Sequence, residues 1–140
     1  MLKQEGNKLY RRQDKELLLI EPWGKNSLRV RATQRHEFLP DGNGNSALLA
    51  PSEAEAEIAI DGKQATITNG KITCTVSENG ELQFCNQDGE VLLEEYSRIR
   101  DTQAEGRNRF ASALEIVPRT FQPRQSTDHY RLTVRFESND

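Results

Sequence analysis

The chain is poor in the residues from which metal, redox and nucleophilic sites are most often built. Its 140 residues include two cysteines, Cys74 and Cys85, two histidines, His36 and His129, a single Trp and a single Met. The cysteines lack metal-ligand spacing, and no signal-peptide-like apolar stretch precedes them. They read as small buried hydrophobes in a reducing, cytoplasmic setting rather than as a disulfide framework. The histidines lie far apart, with no Cys or Asp at ligand spacing, so no metal site is expected. No apolar run approaches the roughly 18 residues that mark a membrane span. A net charge of −3 supplies no basic field for nucleic acid. The expected protein is therefore soluble, with neither nucleic acid nor membrane as a partner. No G-x-S-x-G elbow is present, and Gly42-Asn43-Gly44 lacks the residues and helix of a phosphate loop. Carboxylates are plentiful, but pairs such as Glu94-Glu95 and Glu53-Glu55 are sequence neighbours on strands and read as surface charge. No cofactor is implied.

What the chain does have is turn chemistry. From Gln64 to Glu95, short alternating runs are punctuated by Asn69-Gly70, Glu78-Asn79-Gly80 and Asp88-Gly89. This is the pattern of an antiparallel meander, in which Gly and Asn supply the positive φ of tight hairpins and Thr, Ile, Val, Leu and Phe fill a half-buried pleat. A two-residue loop at Asn79-Gly80 would split the apolar face. A three-residue loop closing on a left-handed Gly80 instead sets Val76 opposite Leu82 and Cys74 opposite Phe84, with Cys74 and Cys85 on opposite faces, out of reach of each other. For the next turn, a two-residue loop at Asp88-Gly89 lets Val91 and Leu93 join Leu82 and Phe84. A Gln87-Asp88-Gly89 loop stays open, because Val91-Leu92-Leu93 is apolar on both faces.

The rest of the chain adds strands and no helical period. A length of 140 residues fits one domain, 1–140, and would bury roughly 68–70% of the unfolded surface. Residues 1–15 are polar, with a basic pair at Arg11-Arg12, and read as a solvated arm able to fray. Strands are expected at Glu16 to Pro22, Ser27 to Thr33, Glu53 to Ile60, Ser112 to Val117 and His129 to Glu137. In the third of these, Ala54, Ala56, Ile58 and Ile60 are the inward set. In the last, Tyr130, Leu132, Val134 and Phe136 are. His36 to Pro51 is too rich in Gly, Pro, Asn and Asp for an element. About nine strands make an all-β, antiparallel β-sandwich.

Two clusters and the closing strand carry a family resemblance. Ile20-Glu21-Pro22-Trp23-Gly24 with Ser27-Leu28-Arg29-Val30-Arg31-Ala32-Thr33, and Ala65-Thr66-Ile67-Thr68-Asn69-Gly70-Lys71-Ile72 leading into the Gly80 and Gly89 hairpins, resemble the N-terminal domain of glycoside hydrolase family 31. His129-Tyr130-Arg131-Leu132-Thr133-Val134-Arg135-Phe136-Glu137 looks like the last strand of that domain. The resemblance implies a galactose-mutarotase-like sandwich from an α-glucosidase or α-xylosidase. The catalytic (β/α)8 barrel of such an enzyme would follow residue 140. In that family two barrel aspartates act with retention, which needs carboxyl groups about 5–5.5 Å apart. Neither of their motifs occurs here, so the chain alone is expected to be inactive and no catalytic residue is assigned.

The resemblance also implies partners: the chain's own barrel and, in the full-length enzyme, an α-linked oligosaccharide. The segment Glu94 to Phe110 matches one that leans over the barrel mouth. It holds Glu95, Tyr96, Arg98, Arg100, Asp101 and Arg107, side chains able to bind hydroxyls or stack on a sugar ring. Glu95 and Tyr96 are its expected substrate-binding residues. Two other readings compete: an independent lectin-like carbohydrate-binding module, and a plain interaction or scaffold sandwich. A lectin-like module should offer an exposed aromatic platform, and one Trp with three Tyr is a thin supply.

Overall fold

In a computed structural model of the chain, the described residues are 1–38, 54–95, 118–124 and 130–138. They form twelve strands: β1 (Leu2–Glu5), β2 (Lys8–Gln13), β3 (Glu16–Pro22), β4 (Leu28–Thr33), β5 (Glu57–Asp61), β6 (Gln64–Asn69), β7 (Ile72–Val76), β8 (Leu82–Cys85), β9 (Val91–Glu95), β10 (Thr120–Pro123), β11 (Tyr130–Thr133) and β12 (Phe136–Ser138). The fold is all-β and antiparallel among the described residues, as the turn chemistry requires. The expected strand at Ser112 to Val117 lies outside them. The chain, read above as one domain, divides into two compact units, Met1–Cys74 and Thr75–Asp140, with the boundary inside β7.

The first unit carries the sheet β1-β2-β3-β4 in sequential order. Residues 1–15, read as an arm, form its first hairpin instead, with Gln4 opposite Leu9 and Leu2 opposite Arg11. Leu9 is buried and pairs with Ile20, and Arg11 is buried opposite Leu18. The polar composition of the hairpin hid one apolar inward residue, which is enough to hold it. β3 is buried along both faces, so Leu17-Leu18-Leu19-Ile20 reads as a continuous apolar run rather than an alternation. Its inward residues Leu18 and Ile20 face the layer built from β6, where Ala65 and Ile67 alternate inward. β5 pairs with β6 at the edge. Ile60, expected in the core, is 41% exposed there, because an edge strand is covered by a neighbour on one flank only.

Two turns of this unit lock together. Trp23 N donates to Ser27 O at 3.0 Å, closing the loop in which Asn26 has φ 56°. The amide of Asn69 donates to Gly24 O and Ser27 O, each at 2.7 Å, and Asn26 Oδ1 accepts from Lys71 N at 2.9 Å. In the Asn69-Gly70 pair, Gly70 alone takes positive φ, 62°, which leaves the Asn69 side chain to bind the other turn.

The second unit contains the Gly80 and Gly89 hairpins. Ser77 N donates to Glu81 O at 3.0 Å across a three-residue loop in which Gly80 has φ 87°. Val76 therefore stands opposite Leu82, the expected register, and both are buried. At Gly89 the loop takes the three-residue alternative, and the register of the two-residue one returns only beyond it. Asn86 N donates to Glu90 O at 3.0 Å around a three-residue loop, so Cys85 pairs with Val91, yet Phe84 pairs with Leu93. A bulge absorbs Leu92, which is 47% exposed, and restores the register of a two-residue loop beyond it. Asn86 decides the turn: its Oδ1 accepts from Asp88 N at 3.0 Å and Glu90 N at 2.9 Å.

β12 pairs with β9, and β10 with β11 as a separate ribbon. The single strand expected over His129 to Glu137 is thus two strands, and His129 lies outside the described residues. Its expected inward set is corrected as well. Leu132, Val134 and Phe136 are 36–42% exposed, because β11 belongs to a two-stranded ribbon and β12 is an edge. Phe136 keeps a ring contact with Phe84, centroids 6.2 Å apart, and Phe121 packs edge-on to Tyr130 at 5.1 Å. Cys74 is buried, Cys85 is half-buried, and neither is in a disulfide.

Candidate functional site

β9 ends at Glu95, the residue the sequence places in a substrate-facing loop. Alternation along the strand sends Leu93 and Glu95 to one face, and Phe136 of β12 lies opposite Glu95. Glu95 is 1% exposed there, and so is Arg119, which returns from the far side of the 96–117 segment. Arg119 Nη1 donates to Glu95 Oε1 at 2.8 Å and to Oε2 at 2.7 Å, and its Nη2 donates to Gly80 O at 3.0 Å. Oε2 also accepts from Leu82 N, at 3.0 Å. One guanidinium and one carboxylate thus tie together the Gly80 turn, the start of β8 and the end of β9. The charges meet away from water, where a pair holds only if its remaining donors and acceptors are also satisfied, and here the backbone does this.

Glu95 is therefore bonded within the fold rather than presented to solvent. Tyr96, its expected companion, lies outside the described residues, as do Arg98, Arg100, Asp101 and Arg107. The burial of Glu95 had a signal in the sequence. In the register that gathers Val91 and Leu93 with Leu82 and Phe84, continuing the alternation puts Glu95 on the same inward face. Arg119 had none, since an arginine after Val117-Pro118 in a polar stretch is ordinarily solvated.

In the first unit, the outer face of β1 to β4 holds a cleft of about 590 Å³, its lining including Lys3, Tyr10, Arg12, Leu19, Arg31 and Phe38. Its cations are engaged on that face. Lys3 Nζ stands 2.7 Å from Glu5, whose carboxylate raises the pKa of the amine above its ordinary value. Arg12 donates to Arg35 O and His36 O, and Arg31 lies over the Phe38 ring at 4.8 Å and within 3.4 Å of Glu21. Glu21 is shared further with Arg29 and Lys8, and Arg29 covers Trp23 at 4.3 Å. One face of the Trp23 ring, the ring of the chain's single Trp, is thus occupied. No cluster of three or more His, Cys, Asp or Glu able to hold a metal is found among the described residues. No helix among them is long and apolar enough to cross a membrane.

Known proteins resemble the chain over nearly its whole length. An uncharacterized family 31 glucosidase of Pseudescherichia vulneris is 42% identical over 140 residues, 96% of this chain. A solved GH31 α-xylosidase from a soil metagenome, complexed with xylose, superposes with a TM-score of 0.78 at 35% identity over 99% of the chain. The chain is similar to one segment of these two glycoside hydrolase family 31 proteins. No protein-family profile matches it. The chain spans about a quarter of the glucosidase (26%) and about a fifth of the α-xylosidase (21%). Its all-β antiparallel architecture is the fold that the resemblance implied.

Proposed function

We propose that the family 31 segment is the non-catalytic N-terminal β-sandwich, galactose-mutarotase-like in class, of a retaining α-glycosidase that acts on an α-linked oligosaccharide in the cytoplasm. It packs on the catalytic barrel and sends the chain that follows β9, beginning at Tyr96, toward the sugar sites, with Glu95 at the root of that chain. The observation that carries this reading is the match of nearly the entire segment, at 42% identity, to only 26% of a family 31 glucosidase. The remaining length of such a protein is ample for a barrel, typically about 250 residues. The reading calls on no cofactor and assigns no catalytic group to this segment, because the two-carboxylate chemistry of retention needs both acids on one scissile bond. The segment's part is structural support and substrate positioning.

The test compares the segment with the full-length protein on p-nitrophenyl α-glucoside and α-xyloside. The full-length protein is expected to release nitrophenol, and the 140-residue chain to stay at the buffer blank. Turnover by the chain alone overturns the reading. Calorimetric binding of an oligosaccharide by the isolated chain would favour the lectin-like alternative instead.

A further inference from the structure

The cleft on the outer face of β1 to β4 has no part in the function proposed above, and its lining carries a charge of its own. Strand register builds it in rows, because residues directly opposite each other in an antiparallel pair share a face. Lys3 stands opposite Tyr10, Tyr10 opposite Leu19, and Leu19 opposite Arg31. The row on one side sets Arg12 opposite Leu17, and the row on the other sets Glu5 opposite Lys8. The alternation Lys8, Tyr10, Arg12 along β2 therefore places a ring between two cations, with Lys3 as a third beside it. The floor next to that ring is apolar, Leu17 and Leu19 being buried. Four strands span about 14 Å. The volume of about 590 Å³ falls inside the range of small-molecule sites, about 300–1,000 Å³.

Lys3, Lys8, Arg12 and Arg31 line the cleft against Glu5 and Glu37, a local excess of two positive charges on a chain whose net charge is −3. Arg12 donates to Arg35 O at 3.2 Å and to His36 O at 2.7 Å, both through Nη2, and among the described residues no carboxylate pairs with it. Those bonds hold the guanidinium in place without neutralising it. Lys3 and Glu5 form an exposed pair, and Lys8 stands 3.8 Å from Glu21 with its side chain about half exposed. Such pairs contribute little, so either amine can turn to a stronger anion at small cost. Arg31 is committed to Glu21 and the Phe38 ring and stays as a fixed charge at the far end of the row.

We propose that this cleft binds a phosphate monoester carried on a ring: Arg12, Lys3 and Lys8 take the phosphate, and the ring lies over Tyr10 and the apolar floor. A phosphate monoester carries about −1.5 to −2 near pH 7, which matches the excess charge of the lining. Its three terminal oxygens accept charge-assisted bonds from several cations at once. A bare phosphate would leave most of the cleft unfilled, and a neutral sugar would leave the excess charge unanswered. Sugar phosphates and nucleotides share the required chemistry.

The experiment is titration calorimetry on the full-length protein at low salt, with glucose 6-phosphate, AMP, inorganic phosphate and glucose as probes. Glucose 6-phosphate or AMP is expected to bind with a Kd below about 1 mM and about tenfold or more tighter than inorganic phosphate or glucose. The tighter of the two esters identifies the ring. Its affinity should hold in excess glucose, which keeps the sugar sites of a glycosidase occupied. Arg12→Gln, and Lys3→Ala with Lys8→Ala together, should each weaken binding about tenfold, and Glu5→Gln, which releases Lys3, should tighten it about threefold. No binding of either ester at about 10 mM overturns the proposal, as does inorganic phosphate binding as tightly as the esters. Displacement of the ester by glucose, or an affinity that Arg12→Gln and the lysine variant leave unchanged, puts the ester elsewhere and also overturns it. Should Arg12→Gln fail to fold, the lysine variant, which alters exposed side chains, decides.

Discussion

Removing Arg119 should be among the most damaging single changes available to the second unit. Arg119→Met deletes both bonds to Glu95, at 2.7 and 2.8 Å, together with the bond to Gly80 O. It leaves a carboxylate that is 1% exposed, still accepting from Leu82 N but without its cation. Breaking a buried pair from one side costs about 3–5 kcal/mol, a large share of a stability of about 5–15 kcal/mol. Adding Glu95→Leu removes the orphaned charge. What then remains is Leu82 N and Gly80 O without these partners, at about 1–3 kcal/mol each, offset by about 1.5–3 kcal/mol for each buried apolar side chain. The double variant should therefore lie within about 2 kcal/mol of the parent and above the single variant. Urea unfolding followed by circular dichroism, with the m-value checked for constancy, measures all three. The sign with pH is also set. In Arg119→Met, burial favours the neutral Glu95, so the folded state holds its proton more tightly than the unfolded state does. The deficit should shrink as pH falls from neutral toward the carboxylate range. A loss under about 1 kcal/mol for Arg119→Met, or a double variant weaker than the single, refutes the picture of a dry, mutually dependent pair.

Other expectations follow from the first unit and the turns. Gly70→Ala places a Cβ at φ 62° against Asn26 Oδ1, so it should cost at least about 1–2 kcal/mol in urea titrations. Ile67→Ala empties a fully buried position of β6 and should cost about 2–5 kcal/mol; a value near zero would mean that the layer between β3 and β6 is not packed. Asn86→Ala removes the acceptor of Asp88 N and Glu90 N, and a loss of about 1 kcal/mol per bond is expected, with exchange of those two amides accelerated in hydrogen-exchange measurements. Lys3→Ala should leave the unfolding midpoint unchanged near neutral pH. The amine is largely exposed, and the raised pKa that Glu5 gives it makes any contribution present below the lysine range and lost only as pH climbs through it.

The sequence by itself determined the all-β class, the hairpin positions and the Val76 to Leu82 register, because these depend on local chemistry: alternation, and a glycine where φ must be positive. It also carried enough family-specific pattern for the resemblance to be seen. Tertiary structure alone decided the matters that depend on what lies opposite. The first fifteen residues are a hairpin because Leu9 finds Ile20, and Ile60, Leu132 and Phe136 are exposed because their strands lie at edges or in a two-stranded ribbon. The Gly89 turn took the three-residue length and recovered the register of the two-residue one by absorbing Leu92 in a bulge, since turn geometry and face pairing made different demands. The candidate site divides in the same way. Alternation along β9 already pointed Glu95 inward, but a buried carboxylate needs a cation, and Arg119 comes from 24 residues away, where no local pattern could announce it.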